Sequence, residues 1–256
     1  MQHEQRESSV NDAKSTSALN EYAALFSLDS QIEWQMETSE QMCLLAFAQE
    51  LRPECVVEVG SRFGGSMQVF SRYAKRVISC DIDPTCQDRF GHKYPNAEFI
   101  VGPSQQTLPP LLAKLQQDNV PLSLMLIDGD HSEAGIQGDI LALRDYQPTC
   151  PLYVIMHDSF NPSERRGIRT ARWAENPFVH SVELDFIPGV MHFKKDFYRQ
   201  MWGGFALAVL KPERRTAPLV ISGNSEGLFR SLVLRSAHKM PMRAVCKLSR
   251  LVGVNI

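Results

Sequence analysis

Two polar clusters interrupt otherwise apolar stretches of the chain: Ile127-Asp128-Gly129-Asp130-His131 and Ile155-Met156-His157-Asp158-Ser159. Carboxylates and imidazoles gathered at one place can bind a divalent cation, supply a general base, or do both. Asp128, Asp158 and the two histidines are the candidates for that chemistry, with Asp130 read as structural. A third stretch, Glu58-Val59-Gly60-Ser61-Arg62-Phe63-Gly64-Gly65-Ser66, has glycines that allow a tight turn and close backbone approach to a ligand. Asp81 ends the next apolar run, where it can accept hydrogen bonds from ribose hydroxyls. Further along, Ser159 to Trp202 is dense in arginines and aromatics. Aromatic rings can stack on sugar faces or planar rings, and arginines can hold phosphate or carboxylate, which singles out Arg165, Arg166 and Trp173 as substrate contacts.

The elements that must position these residues are legible from pattern. Thr38 and Gln41 have capping-box spacing ahead of a helix carrying Met42, Leu44, Leu45, Phe47, Ala48 and Leu51, which ends before Pro53. Short β-rich runs follow at 55–59, 76–80, 98–101, 122–127 and 153–156. Helical patterns alternate with them at 65–73, 108–117 and 132–145. Such alternation predicts an α/β fold, an open doubly wound sheet, mostly parallel, with helices on both faces. Ligands of these sheets bind beyond the carboxyl ends of the strands. Glu58, Gly60, Asp81, Ser104, Asp128, His131, His157 and Asp158 all fall there. The 159–202 segment reads as a substrate-covering insertion, partly helical around 167–174, ahead of a terminal antiparallel strand at Gly204–Leu210.

Composition bounds the rest. The chain has 256 residues, 43% hydrophobic and 22% charged, with a net charge of −2, which excludes disorder, collagen and a disulfide scaffold. Six scattered cysteines without a Cys-x-x-Cys pair fit a reducing, cytoplasmic home. Residues 1–20 lack the apolar core of a signal peptide, and no window is apolar enough to span a membrane. The expected organisation is a flexible lead-in over 1–35, a catalytic domain over 36–212 and a C-terminal appendage over 213–256. From Lys211 onward the chain carries nine basic residues against two acids, whereas the remainder is net acidic. Leu228 to Val254 can form two basic amphipathic helices broken near Pro241. They would pack on the same chain or a second subunit, making a homo-oligomer, or lie on the inner face of a membrane as a peripheral contact. No nucleic-acid recognition module accompanies the charge.

The acid-x-Gly-x-x-x-Gly loop from Glu58 to Gly64, followed by Asp81 at the end of the second strand, resembles the class I S-adenosylmethionine-dependent methyltransferases over about Val56 to Leu210. The resemblance implies a Rossmann-like methyltransferase fold and S-adenosylmethionine as cofactor, held by Glu58, Gly60, Ser61, Gly64, Asp81, Ser104 and Asp128. A dinucleotide-binding loop would need glycine at position 62, where this chain has Arg62, and no Tyr-x-x-x-Lys is present. Asp-Gly-Asp-His paired with His-Asp is similar to a branch that methylates hydroxyls of small molecules and sugars. That likeness implies a small-molecule or glycan acceptor, Asp128 and Asp158 as ligands of magnesium or another divalent cation, and His131 as catalytic base. The metal-dependent sugar enzymes place two adjacent acids after strand five. His157 stands at the first of those positions here, as a third ligand or as a base in its own right. Two competing classes are a nucleotide-dependent oxidoreductase and a non-catalytic cofactor-binding scaffold docked to a membrane.

Overall fold

The computed structural model of the chain describes residues 28–238. Helix α1 (Thr38–Leu51) precedes β1 (Cys55–Val59), α2 (Met67–Tyr73), β2 (Arg76–Asp81), α3 (Cys86–Phe90), β3 (Ala97–Val101), α4 (Ser104–Gln117), β4 (Leu122–Ile127), α5 (Glu133–Leu141), β5 (Leu152–Met156) and α6 (Pro162–Thr170). Then come β6 (Val179–Ile187), the short β7 (Val190–Met191) and β8 (Met201–Trp202), β9 (Phe205–Leu210), β10 (Val220–Ser222) and α7 (Glu226–Arg235). Eight strands form one sheet in the order β10-β6-β9-β5-β4-β1-β2-β3, and β7 and β8 pair separately.

Strands β1 to β5 run parallel, and β9 is antiparallel to both neighbours, β5 and β6. The expected α/β sheet with one antiparallel strand is therefore present. Alternate side chains of the central strands feed two cores. Val57, Val59 and Met125 pack with Leu108, Leu112, Ile136, Ile140 and Ile168 on one face, and Val56, Leu124 and Leu126 with Leu44, Phe70 and Phe90 on the other. β1 is buried along its whole length, as a strand covered on both faces must be. The chain order reverses between β1 and β4, so a crevice opens beyond their carboxyl ends.

Three boundaries differ from the expectation. The segment 159–202 is not one insertion: α6 leads into β6, which belongs to the central sheet, and the separate β7–β8 excursion begins only after Ile187. Its Val-x-x-Val-x-Leu pattern is interrupted by the half-buried His180 and Glu183, which suit a strand near the sheet edge, and by Asp185, buried against Arg165. The antiparallel strand β9 is internal rather than terminal, since β10 adds a parallel edge beside β6. The lead-in is also shorter than 1–35: Leu28, Ile32 and Trp34 pack on the core, and the Asp29 N–H donates to Gln68 Oε1 at 2.7 Å. Residues 1–27 and 239–256 of the lead-in and appendage lie outside the described residues. Among the described residues no helix is long and apolar enough to cross a membrane.

α7 is tied to the domain by charge. Glu226 accepts from Arg165, Arg169 and Arg230. Burial works to raise its carboxyl, but these hydrogen bonds outweigh it and bring it down to about 2. A depressed carboxyl stabilises the fold above its unfolded value, near 4.5, and that contribution is lost as pH falls through about 2. Glu226→Gln should therefore lower the denaturation midpoint at neutral pH and flatten its decline between pH about 5 and about 2. Parallel acid limbs in the two proteins would contradict the linkage.

Candidate active site

At the switch point the backbones interlock. The Asp128 N–H donates to the Val59 carbonyl at 2.9 Å, and the His157 N–H to the Ile127 carbonyl at 3.0 Å. Gly60 has φ +83°, and a Cβ there would sit 2.2 Å from the Asp128 carbonyl oxygen, so only glycine fits. Asp158 also takes the left-handed conformation, φ 54°, which lets its carboxylate accept the Gly203 N–H. A cavity of about 570 Å³ lies over these loops, within the range of small-molecule sites. Its wall includes Gly60, Ser61, Asp128, His131, His157 and Asp158, closed on one side by Glu33 to Glu40 and on another by His192, Lys194, Phe197 and Trp202.

His157 donates or accepts through Nδ1 at 2.8 Å from Asp128 Oδ1 and lies 3.7 Å from Asp158 Oδ2. Its Nε2 is 3.4 Å from Glu40 Oε2 without good hydrogen-bond geometry. His131 Nδ1 sits between Glu164 Oε1 at 2.9 Å and Asp158 Oδ2 at 3.2 Å. Four carboxylates thus surround two imidazoles. Burial alone would push the His157 imidazole down, yet Asp128, Asp158 and Glu40 hold it well above the ordinary histidine value. Hydrogen bonds to Asp158 and Glu164 raise His131 to about 10. Burial would raise Asp158, but the two histidines and the Gly203 N–H keep it low. Glu164 is pushed up to about 8, mainly by burial.

Residues 57–159, which contain Asp128, His131, His157 and Asp158, match the family model of a methyltransferase domain. That part of the chain is similar to a methyltransferase domain. No curated protein matches the chain in sequence. Similar solved structures include cofactor-bound Rv0187 from MTB, 20% identical over 79% of this chain and 91% of that one, TM-score 0.48. The O-methyltransferase from Bacillus cereus in complex with SAH is 16% identical over 76% and 88%, TM-score 0.48. The O-methyltransferase TomG from Streptomyces achromogenes, involved in tomaymycin synthesis and in complex with SAM, is 14% identical over 69% and 81%, TM-score 0.50. At these identities the likeness is one of fold.

The loops after β4 and β5 bring Asp128, His131, His157 and Asp158 together, with Gly60 and Ser61 beside them. Other candidates sit behind that wall. Glu58 is fully buried, accepts from the Ser66 hydroxyl and is raised to about 8 by burial. Gly64, φ +80°, turns the loop against Phe90. Asp81 accepts from the Ser61 and Arg62 N–H groups at 2.8 and 3.1 Å, so its carboxylate shapes the glycine loop. Ser104 donates to Asp139, a buried carboxyl raised to about 6 by burial. Asp130 accepts from the Ser132 N–H and hydroxyl at the start of α5.

The three substrate candidates are corrections. Arg165 is buried in an ion pair with Asp185, Arg166 pairs with Glu133 near the surface, and Trp173 is core, its indole N–H donating to the Ile168 carbonyl. None reaches the cavity, because α6 turns Arg165 toward β6 and Arg166 toward α5, and Trp173 follows the helix and folds back on it in the core. The capping box is also corrected: it starts at Glu37, and Glu40 accepts the Glu37 N–H at 2.6 Å. Glu40 and Glu164 are site residues that sequence reasoning missed. Glu40 shares the i, i+4, i+8 stripe of Leu44 and Ala48, and a carboxylate on that buried stripe was the available signal.

Proposed function

We propose that the chain transfers a methyl group from S-adenosylmethionine to a hydroxyl of a sugar, glycan or other small molecule. The observation that carries this reading is the cavity at the β1/β4 switch point, where the glycine loop meets the Asp128, His131, His157 and Asp158 cluster. Gly60 packs against the Asp128 backbone, which holds the glycine loop at the cavity wall where the cofactor would lie. Bound there, S-adenosylmethionine would supply an electrophilic methyl group on a sulfonium. Similar folds solved with SAM or SAH support the choice of cofactor.

The protein's own part is to orient the acceptor oxygen, exclude water and take a proton. His131 is placed to take it. With Nδ1 held by Glu164 and Asp158, its other nitrogen is left for the acceptor. Two carboxylates favour the charged imidazolium, and a positive charge brought into the same cavity disfavours it, so the base form becomes accessible as the cofactor site fills. Asp128, His157 and Asp158 each offer one ligand atom, all within 4.8 Å of one another. This donor set of two oxygens and one nitrogen suits a divalent cation, which would lower the pKa of the acceptor hydroxyl. The described cysteines are all unpaired, which supports a reducing, cytoplasmic setting.

Calorimetric titration with S-adenosylmethionine, with and without magnesium, tests the reading. Saturable micromolar binding is expected, lost in Asp81→Ala because the Ser61–Arg62 turn loses its anchor. Labelled methyl transfer to sugars and glycolipids then identifies the acceptor. Absence of binding in both conditions overturns the proposal.

A further inference from the structure

The aromatic side chains of the cavity wall are Trp34, Phe63, Phe197 and Trp202. They divide by position. Trp34 lies on the glycine loop, where a Cβ at Gly65 would meet its ring at 2.3 Å, and Phe63 carries the Arg62 guanidinium 5.0 Å from its ring centre. Both belong to the glycine-loop side. Phe197 is half exposed and tilts against His192. Trp202 stands beside the base: its ring centre is 5.9 Å from that of His131, with the two planes at 85°.

The fold fixes Trp202 in that place. Strand alternation along β8 sends Met201 one way and Trp202 the other. Met201 is fully buried with Phe160 and Phe229, which leaves the half-buried Trp202 on the cavity side. The next residue locks the corner. Gly203 has φ +71°, its N–H is held by the Asp158 carboxylate, and a Cβ there would lie 2.8 Å from Glu40 Oε1. The indole is thereby tied to the carboxylates of the site. Its N–H is already spent, donating to Gln200 Oε1 at 2.9 Å, and the Gln200 amide in turn donates to the Asp196 carbonyl at 3.3 Å. What remains for a ligand is the flat carbon surface of the ring.

An oxygen bonded to the free nitrogen of His131 puts the carbons that carry it within reach of that surface. Another ring matches it best, through the C–H face of a pyranose or the π face of an aromatic, whereas an open chain gains little from a flat partner. We infer that Trp202 is the platform for the acceptor and selects a hydroxyl borne on a ring. The inference rests on the methyl-transfer reading only in calling the ligand an acceptor. It supplies the contact inside the cavity that Arg165, Arg166 and Trp173 do not make.

Saturation-transfer NMR on the full chain without cofactor tests the contact, with methyl β-glucopyranoside and catechol as ring probes and glycerol as the open-chain control. Saturation is expected on the ring C–H protons of at least one ring probe and not on glycerol, and comparing the two ring probes separates a sugar from an aromatic acceptor. Trp202→Leu, which fills much of the space without a flat face, should reduce it at least about fivefold, and Trp202→Phe should keep it within about twofold. A second measurement needs no intact variant fold beyond Trp202→Phe. With 5-fluorotryptophan in the wild type, the resonance missing from Trp202→Phe is that of Trp202, and the ring probe should shift it while leaving that of the core residue Trp173 in place. An unmoved Trp202 resonance, undiminished saturation in Trp202→Leu, equal saturation of glycerol, or none on either ring probe overturns the inference. If S-adenosylmethionine fails to bind while the ring probe still shifts Trp202, the methyl-transfer reading falls and the ring subsite stands.

Discussion

Arg165→Met is expected to cost about 3–5 kcal/mol of stability and to leave cofactor binding unchanged. The guanidinium is 2% exposed and makes a two-pronged pair with Asp185, Nη1 to Oδ1 at 2.6 Å and Nη2 to Oδ2 at 2.9 Å. It also reaches Glu226 at 3.1 Å and lies 4.3 Å from the ring centre of Phe229. One side chain thereby joins α6, β6 and α7. Its removal strands the buried Asp185 carboxylate, and an uncompensated buried charge costs far more than the pair itself contributes. For a domain of this size the loss corresponds to a fall in Tm of about 6–20 °C. Adding Asp185→Asn should restore much of it, because the amide keeps an acceptor for the Ser225 N–H while removing the charge. A small Tm change accompanied by a raised acceptor KM would instead return Arg165 to the substrate site.

This arginine also illustrates what the sequence can and cannot disclose. The β1, β2, β4 and β5 runs were legible because buried parallel strands are nearly uninterrupted apolar stretches, each stopped by a glycine or a polar residue. The acids and histidines after them had to fall at the carboxyl edge, whatever the details of the loops. Long-range partners leave no such trace. Arg165 and Asp185 are twenty residues apart, and nothing in either residue's surroundings distinguishes a buried pair from a solvent-facing one. Glu40 reaches the Gly204 N–H across 164 residues, a contact created only when α1 packs at the end of the sheet. β6 was hidden for a related reason: near a sheet edge, polar residues can occupy every second position, and the strand then looks like loop.

His131→Ala should lower kcat by about 10²–10⁴-fold while leaving the Kd for S-adenosylmethionine unchanged. Both histidines of the site stood open as the base in the sequence, and their surroundings separate them. His157 is 6% exposed, with Nδ1 engaged by Asp128 and Nε2 turned to Glu40 inside the protein, so neither nitrogen is placed to meet a substrate hydroxyl. His131 is anchored through one nitrogen by two carboxylates and stands edge-on to Trp202, 5.9 Å between ring centres, at the cavity wall. A carboxylate holding one imidazole nitrogen fixes the ring's orientation and strengthens the other as a base. Glu164→Gln keeps a hydrogen-bond partner for His131 but cannot ionise, so its loss in kcat should be smaller than that of His131→Ala. Asp128→Ala should also abolish transfer, through the loss of a carboxylate that faces both the cavity and His157. The decisive comparison is the split between kcat and KM in His131→Ala. A kcat within about twofold of wild type, with Asp128→Ala inactive, would remove His131 from the chemistry and require His157 to open toward the cavity before any proton could move.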